Sequence, residues 1–459
     1  MEKKLLLISP PLHCEQHLRQ SFQPPLNLLC LYSYLRSKGL AVELYEAASV
    51  QDAIQKVIEG MPIAVGMPLY YASLANAAAI VAGIRKAAPE IRLIAGGPCL
   101  TMEPERMLGE IGFDFGVCGE GEETLHELLN AIYSSDDYSN IDGLTYKIAE
   151  AVKVNRRRAP IADLDQLPFV DYSPVDNNKY FALQKQAGIP ETIFMNTSRG
   201  CFYRCTYCCT PVLWPGSVRR YSPGRMFEEI KHQLNLFPNA EIGFCDDSFF
   251  SDRRWLDSFL ELVRPMNIRF QCIGRADHLN REYIEKLATA GMTYIAFGVE
   301  TGCSERQKKL HKNLDFARMF ETMRCLADYN IKTKCFFMLG FPDETPEEIV
   351  ETINLAVELR KMGMTYFSIF PVTLYPGTEL AKQFPQNTFN CALDAHMPEI
   401  IRDGLAIDNP NLLNSRYNDL MTQGQMAEVV TLAWQKVDKA EHLNVEELKN
   451  ILTRTTSNQ

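Results

Sequence analysis

The sequence predicts an α/β protein: a Rossmann-like N-terminal domain, a partial (β/α)6 TIM-like barrel and a C-terminal helical segment. Three observations predict it. Short apolar runs alternate with helical patterns from residue 4 to about 135, the signature of a parallel sheet covered on both faces. The alternation resumes near residue 190 with a longer period and gives six βα units, which favour a barrel over an open sheet. After residue 386 only helical patterns remain. This reading places the first domain at 1–140, a linker at 141–188, the barrel at 189–385 and the helical segment at 386–459.

In the first domain, strands are expected at 4–9, 41–45, 63–67, 92–95 and 115–117, and helices at 26–38, 73–87, 103–110 and 122–133. Several strands run into loops rich in Gly and Pro: Ser9-Pro10-Pro11, Gly66-Met67-Pro68, Gly96-Gly97-Pro98 and Gly119-Glu120-Gly121-Glu122. These are carboxyl ends of strands, where open α/β sheets bind ligands. His13 and His17 follow the first strand and read as surface histidines. From 136 the rhythm is lost, and the basic run Arg156-Arg157-Arg158 and several prolines read as a linker with a short hairpin. Barrel strands are expected at 192–197, 241–245, 269–273, 294–299, 333–339 and 366–371. Helices lie between them at 223–236, 254–263, 281–289, 316–329 and 346–361, and the last two at 423–440 and 445–452.

Composition narrows the function classes. The 459 residues include 47 Lys+Arg and 57 Asp+Glu, a net charge of -10, which argues against non-specific nucleic-acid binding. The most apolar runs, such as 63–71 and 335–341, fall short of the ~20 residues that cross a bilayer. Pro10-Pro11 interrupts the first apolar run after four residues, so it reads as a buried strand and not a signal peptide; a cytoplasmic protein is expected. In that reducing compartment the fourteen cysteines do not form a disulfide framework. Cys30, Cys118, Cys272, Cys325 and Cys335 lie in apolar periodic segments and read as small buried hydrophobes.

Three others stand apart. Cys201, Cys205 and Cys208 have C-x3-C-x2-C spacing in a loop that opens with Gly200, just after the first barrel strand. Thiolates are the usual ligands of iron–sulfur clusters, and three would leave one iron of a four-iron cluster open. A structural zinc site closes all four positions, and no second cysteine pair or matching His–Cys group follows. Cys209 reads as packing, since adjacent residues rarely aim at one cluster.

This loop resembles that of the radical S-adenosylmethionine superfamily. The resemblance implies a [4Fe–4S] cluster on the three cysteines, with S-adenosylmethionine chelating the open iron. Tyr207 matches the aromatic whose backbone approaches the adenine. Later strand ends agree with the family pattern: Asp246, Asp247 and Ser248 at the position facing the methionine amino group, Arg275 toward the methionine carboxylate, and Glu300 toward the ribose hydroxyls. Gly340, in Met338-Leu339-Gly340-Phe341-Pro342, resembles the adenine-side glycine motif. Taken singly, each of these also reads as a helix cap, an ion-pair partner or a surface carboxylate.

The first domain resembles the cobalamin-binding domain that precedes the barrel in one large class of that superfamily. Pro10-Pro11, Gln23-Pro24-Pro25-Leu26, Gly96-Gly97-Pro98 and Gly119-Glu120-Gly121-Glu122-Glu123-Thr124 carry the similarity. Glycines there imply close backbone approach to a corrin ring. The Asp-x-His-x-x-Gly motif that supplies a lower cobalt ligand in cobalamin mutases is absent. Met67, Leu69 and Tyr70 are then candidates to line the lower face.

The resemblance implies an enzyme that cleaves S-adenosylmethionine and functionalises, foremost by methylation, an unactivated carbon of a small molecule, with electrons from a flavodoxin or ferredoxin. The alternative within the same scaffold is cyclisation, rearrangement or C–C bond formation without methylation. An RNA-modifying methylthiotransferase expects a basic surface and a C-terminal β module, which the acidic balance and helical tail do not offer. An electron-transfer or cobalamin-carrier protein leaves the open iron and the polar strand ends unexplained. Neither the substrate nor a residue acting directly in the chemistry is legible.

Overall fold

The computed structural model describes residues 4–11, 22–134, 136–149, 151–216, 218–385, 418 and 420–453. His13, His17 and much of the 386–459 segment lie outside them. The chain forms two compact units. The first holds the described residues to Phe194 with Val212–Trp214; the second holds Met195–Pro211 and those from Pro215 onward.

The first unit is built on β1 (Leu5–Ser9), β2 (Val42–Glu46), β3 (Ala64–Pro68), β4 (Arg92–Gly96) and β5 (Phe115–Val117), parallel in the order β2-β1-β3-β4-β5. Leu5, Leu6, Leu7 and Ile8 are all buried, because helices on both faces enclose a parallel strand and leave it no polar side. The order reverses between β1 and β3, so the crevice beyond the carboxyl ends of those two strands is the expected ligand position. A helix absent from the sequence reading, Val50–Gly60, joins β2 to β3; Ser49 caps it by accepting from the Asp52 amide at 3.1 Å. Its signal was present in the spacing of Ala53 and Val57, which it buries.

The stretch 141–188 is not a bare linker. It includes the antiparallel hairpin of β6 (Leu144–Ile148) and β7 (Ala151–Val154), which extends the first sheet on the β5 side. An edge strand left open would expose unpaired backbone groups. The helix Asn177–Gln186 follows, capped by Asp176, and its buried Gln184 pairs with the Thr192 backbone at 2.8 and 3.1 Å. The basic run is met locally: Arg156 pairs with Asp142 at 2.6 Å, and Arg158 with Glu123 at 3.2 Å and with Glu127.

The second unit carries a partial barrel. From β8 (Thr192–Met195) the chain passes a short antiparallel ribbon, β9 (Ser198–Arg199) with β10 (Arg219–Arg220), to β11 (Glu241–Phe244). Then come β12 (Phe270–Gly274), β13 (Met292–Glu300), β14 (Lys332–Leu339) and β15 (Tyr366–Pro371), and the sheet runs β15-β14-β13-β12-β11-β8. Right-handed crossovers between sequential parallel strands put the connecting helices on one face. In β14, Thr333, Cys335, Phe337 and Leu339 are buried on that face, while Lys334, Phe336 and Met338 on the other are only half-buried. The helices Gln423–Asp438 and Val445–Leu452 complete the outer layer, with Trp434 packed on Phe367 of β15 at 4.3 Å between ring centroids. Among the described residues no helix is long and apolar enough to cross a membrane.

Candidate functional site

The cysteine loop hangs between β9 and the short helix Thr210–Leu213, and two carboxylates from the end of β11 hold its ends. Asp246, 2 % exposed, accepts from the Thr197 amide at 3.1 Å, from Thr197 Oγ1 at 2.8 Å and from Ser198 Oγ. Asp247 accepts from Thr210 Oγ1 at 3.2 Å and from the Gly200 amide. The middle of the loop is tied down too: the Thr206 amide donates to the Leu310 carbonyl at 3.0 Å, and the Cys208 amide to the Cys205 carbonyl at 3.0 Å. Gly200, at φ 94, sits where a side chain would be strained.

Burial pushes the Cys201 thiol up to about 11, and Asp247, Cys208 and Cys205 add to the shift. Burial likewise raises Cys208, and lifts Cys209 to about 12. Cys205 and Cys208 both act on Cys201, and Cys205 on Cys208, so the thiols feel one another's charge, and a cationic centre bound by the loop would favour the thiolate form. Among the described residues no three His, Cys, Asp or Glu side chains converge as on a single metal ion. Two further groups face no partner: Ser248 Oγ and Thr206 Oγ1 are buried and make no hydrogen bond among the described residues. Orphaned hydroxyls beside a thiol loop fit a polar guest there.

Glu300 ends β13 in a left-handed conformation, φ +70, just after the β13–β14 register slips between Gly298 and Glu300. That bulge folds its carboxylate back over Gly298, whose added Cβ would lie 2.2 Å from Glu300 Oε1. Lys312 Nζ lies 3.1 Å from the same oxygen, and the Tyr207 side chain hydrogen-bonds this carboxylate. Burial first, then Glu300, pushes the Tyr207 phenol well up. Lys312 is a residue the sequence reading missed, since it lies in a loop with left-handed His311 and Asn313 and belongs to no local motif.

Arg275 is engaged by several groups of the protein. Its guanidinium donates to Asp277 at 3.0 and 2.7 Å, to the Lys312 carbonyl at 2.7 Å and to the Asn313 carbonyl at 3.3 Å, and it lies 4.2 Å over the Tyr203 ring. It thus braces the Lys312 loop. Gly340, at φ 87, donates its amide to Glu344 at 2.5 Å. Burial lifts the Glu344 carboxyl to about 8, and its Oε1 makes no hydrogen bond among the described residues.

In the first unit, the loops after β1, β3, β4 and β5 carry the other candidates. Pro10 is buried, and Pro11 accepts from Asn76 Nδ2 at 3.0 Å. Met67 and Leu69, 2 % and 0 % exposed, pack into the core at the end of β3. Tyr70 is 38 % exposed, and desolvation, with Cys99 nearby, raises its phenol to about 12. Gly97 is needed first for the protein itself: at φ 87, a Cβ would lie 3.1 Å from the Leu69 amide nitrogen. Gly96 accepts from the Leu69 amide at 2.8 Å, and Pro98 follows at the start of the helix Gly97–Met102. Glu120 is buried and accepts from the Ile161 amide at 2.6 Å, so its carboxylate anchors the chain after β7. Gly119, at φ 80, has open space where a Cβ would stand, and Gly121 starts the following helix. Tyr70 and Gly119 thus offer open positions at these strand ends.

A thiol loop at the head of a partial barrel, joined in one chain to a doubly wound domain, is the arrangement of a cofactor-binding protein. The comparisons agree. Residues 195–356 match the radical SAM superfamily, and residues 19–129 match the B12 binding domain. An uncharacterized methyltransferase of Pyrococcus horikoshii is 27% identical over 388 residues, 82% of this chain and 82% of its own. An anaerobic magnesium-protoporphyrin IX monomethyl ester cyclase of Synechocystis is 23% identical over 375 residues, 76% of this chain and 72% of its own. The solved structure of the radical S-adenosylmethionine methyltransferase TsrM from Kitasatospora setae, with cobalamin and a [4Fe-4S] cluster bound, shares the fold with a TM-score of 0.72. Its identity is 18%, over 84% of this chain and 75% of that one. The chain is a radical S-adenosylmethionine enzyme with a B12-binding domain. The first of these domains implies a [4Fe–4S] cluster and S-adenosylmethionine, and the second implies cobalamin.

Proposed function

We propose that the enzyme is a cobalamin-dependent C-methyltransferase acting on an unactivated carbon of a small molecule. The observation that carries this reading is the pairing of both matched domains in one chain whose methyltransferase relative aligns over 82% of each. Cys201, Cys205 and Cys208 would hold the cluster and leave one iron to S-adenosylmethionine. When bound, the cluster and S-adenosylmethionine supply hydrogen abstraction from the substrate, and cobalamin supplies the methyl group.

The chain's own residues orient and enclose. Asp247, with the unpartnered hydroxyls of Ser248 and Thr206, offers polar groups to the methionine end. Glu300 offers a carboxylate to the ribose diol, and Tyr207 and Gly340 backbone to the adenine. Asp246 and Arg275 act at one remove, holding the thiol loop and the Lys312 loop in place. Pro10, Pro11, Met67, Leu69, Tyr70, Gly96, Gly97, Pro98, Gly119 and Gly121 are the proposed cobalamin-binding positions, with Glu120 as their anchor. A flavodoxin or ferredoxin in the cytoplasm is the proposed electron source.

The experiment is cobalt retention followed by product counting. Protein reconstituted anaerobically, incubated with hydroxocobalamin and desalted should hold near-stoichiometric cobalt. Turnover should then release S-adenosylhomocysteine and 5′-deoxyadenosine together. The cyclase relative favours a second reading, non-methylating radical chemistry, in which 5′-deoxyadenosine forms without S-adenosylhomocysteine. Loss of all cobalt with iron retained rejects the methyltransferase.

A further inference from the structure

Arg220, on the short ribbon strand β10, pairs with Ser198 of β9. Every hydrogen bond that its guanidinium makes among the described residues goes to a hydroxyl or a carbonyl. Nη1 donates to Thr197 Oγ1 at 3.2 Å. Nη2 donates to the Ser248 carbonyl at 3.0 Å, to the Phe249 carbonyl at 3.2 Å and to Ser251 Oγ. The group also lies 4.9 Å over the Trp255 ring, whose Nε1 donates to the Tyr221 carbonyl at 2.7 Å. Arg220 thus joins the ribbon that opens the thiol loop to the loop that follows β11. The sequence reading missed it, because its partners lie more than twenty residues away in either direction.

These contacts bracket Asp247. Before it, Thr197 Oγ1 accepts from Arg220 and donates to the buried Asp246 carboxylate at 2.8 Å, so one hydroxyl links the cation to that anion. After it, the peptide between Ser248 and Phe249 is held on both sides. Its carbonyl accepts from Arg220 and, at 3.0 Å, from Ser251 Oγ; its amide donates to the Ile273 carbonyl at 3.1 Å. The stretch 246–251 belongs to no helix or strand, so these bonds set its course. Bonds from a charged donor are roughly twice as strong as neutral ones. The buried, unpartnered Ser248 Oγ hangs from this pinned peptide, directly after Asp247.

We propose that Arg220 is a positioning residue for the amino-acid end of S-adenosylmethionine. By holding the Asp246 side chain on one side of Asp247 and the Ser248 carbonyl on the other, it sets where the Asp247 carboxylate and the Ser248 hydroxyl point. This rests on the reading above, in which those two groups meet the methionine end, and adds the residue that aims them. Arg220 acts through them and touches no part of the ligand. Lysine is no substitute: an ammonium is a compact donor on a flexible stem, whereas the planar guanidinium reaches Thr197 and both carbonyls at once.

The test uses the reconstituted enzyme and two ligands that share adenosine and sulfur but differ at the amino-acid end. They are S-adenosylhomocysteine and 5′-methylthioadenosine, in which a methyl group stands in place of that end. By calorimetry, Arg220→Met and Arg220→Lys should each weaken S-adenosylhomocysteine about tenfold and 5′-methylthioadenosine by less than about twofold. The Lys variant keeps the positive charge and carries the test where the Met variant does not fold. Arg281→Met removes an exposed cation paired with Asp328; as the control it should change neither ligand. Equal weakening of both ligands makes Arg220 a general structural residue and overturns the proposal, as does S-adenosylhomocysteine affinity retained in either variant. Iron is counted on every sample and should not change; a fall in iron that matches the fall in affinity places the effect on the cluster and overturns the aiming role. A wild type that binds the two ligands equally overturns the reading beneath, that Asp247 and Ser248 meet the methionine end, whatever the variants do.

Discussion

Lys312 Nζ stands 3.1 Å from Glu300 Oε1, an ion pair about nine-tenths buried on both sides and formed by a carboxylate whose backbone is left-handed. Such a conformation costs about 1–2 kcal/mol in a non-glycine residue, so the surroundings must hold it. The bulge in β13 aims the carboxylate, and Lys312 holds it there, itself presented by a loop that Arg275 braces. Lys312→Met strands a buried carboxylate and should lower stability by about 3–5 kcal/mol, the usual result of breaking a buried pair from one side. Denaturant unfolding of the cluster-free protein measures this. A loss below about 1 kcal/mol, the range of an exposed pair, would falsify the buried-pair account.

Gly298 tests the same carboxylate without touching a charge. A methyl group there would lie 2.2 Å from Glu300 Oε1 and 2.9 Å from Lys312 Nζ, so Gly298→Ala must move both side chains. Affinity for S-adenosylhomocysteine, read by calorimetry, should fall about tenfold, as one lost 1.4 kcal/mol contact would give, with iron content unchanged. Undiminished affinity would remove Glu300 from the proposed ribose contact.

The three loop thiols should act as a set. Replacing Cys201, Cys205 or Cys208 with Ala is expected to abolish the ~400 nm absorption of an iron–sulfur cluster after reconstitution. Cys209→Ala is expected to keep it. Iron retained in the first three variants places the ligands elsewhere, and iron lost in the fourth makes Cys209 more than packing.

Glu344 gives stability a pH dependence of known sign. Burial raises its carboxyl to about 8 from an ordinary 4.5, so between those values the folded chain binds a proton that the unfolded chain has released. Stability from this group is complete below about pH 4.5 and is lost as pH rises to about 8. Glu344→Gln should therefore gain on the wild type across that window and run parallel to it on either side. Denaturation midpoints at pH 5, 7 and 9, compared between the two proteins, decide it; a constant difference means that Glu344 does not titrate there.

Local chemistry made much of this molecule legible before any coordinates. The helices Pro223–Leu236, Arg281–Thr289, Pro346–Lys361 and Val445–Leu452 coincide with their expected spans, because Ser222, Asn280, Thr345 and Asn444 cap them and Pro opens two of the four. The helix Val50–Gly60 and the second hairpin strand were weaker signals, short or with few buried positions. Glu120, Asp246 and Arg275 stand out in the strand-end motifs, and the structure adds that each is engaged by a backbone group from a distant part of the chain.

The sequence by itself determined the order of strands and helices, the cysteine spacing and the glycine-bearing strand ends, because each depends on residues a few places apart. Tertiary structure alone decided which polar groups remain open to a ligand. Lys312 meets Glu300 across twelve residues, Asp246 meets Thr197 across forty-nine, and Phe370 meets Phe336 only through strand pairing. Such encounters follow from register and bulge, and a carboxylate has the same letter in the sequence whether it faces a ligand or a backbone amide.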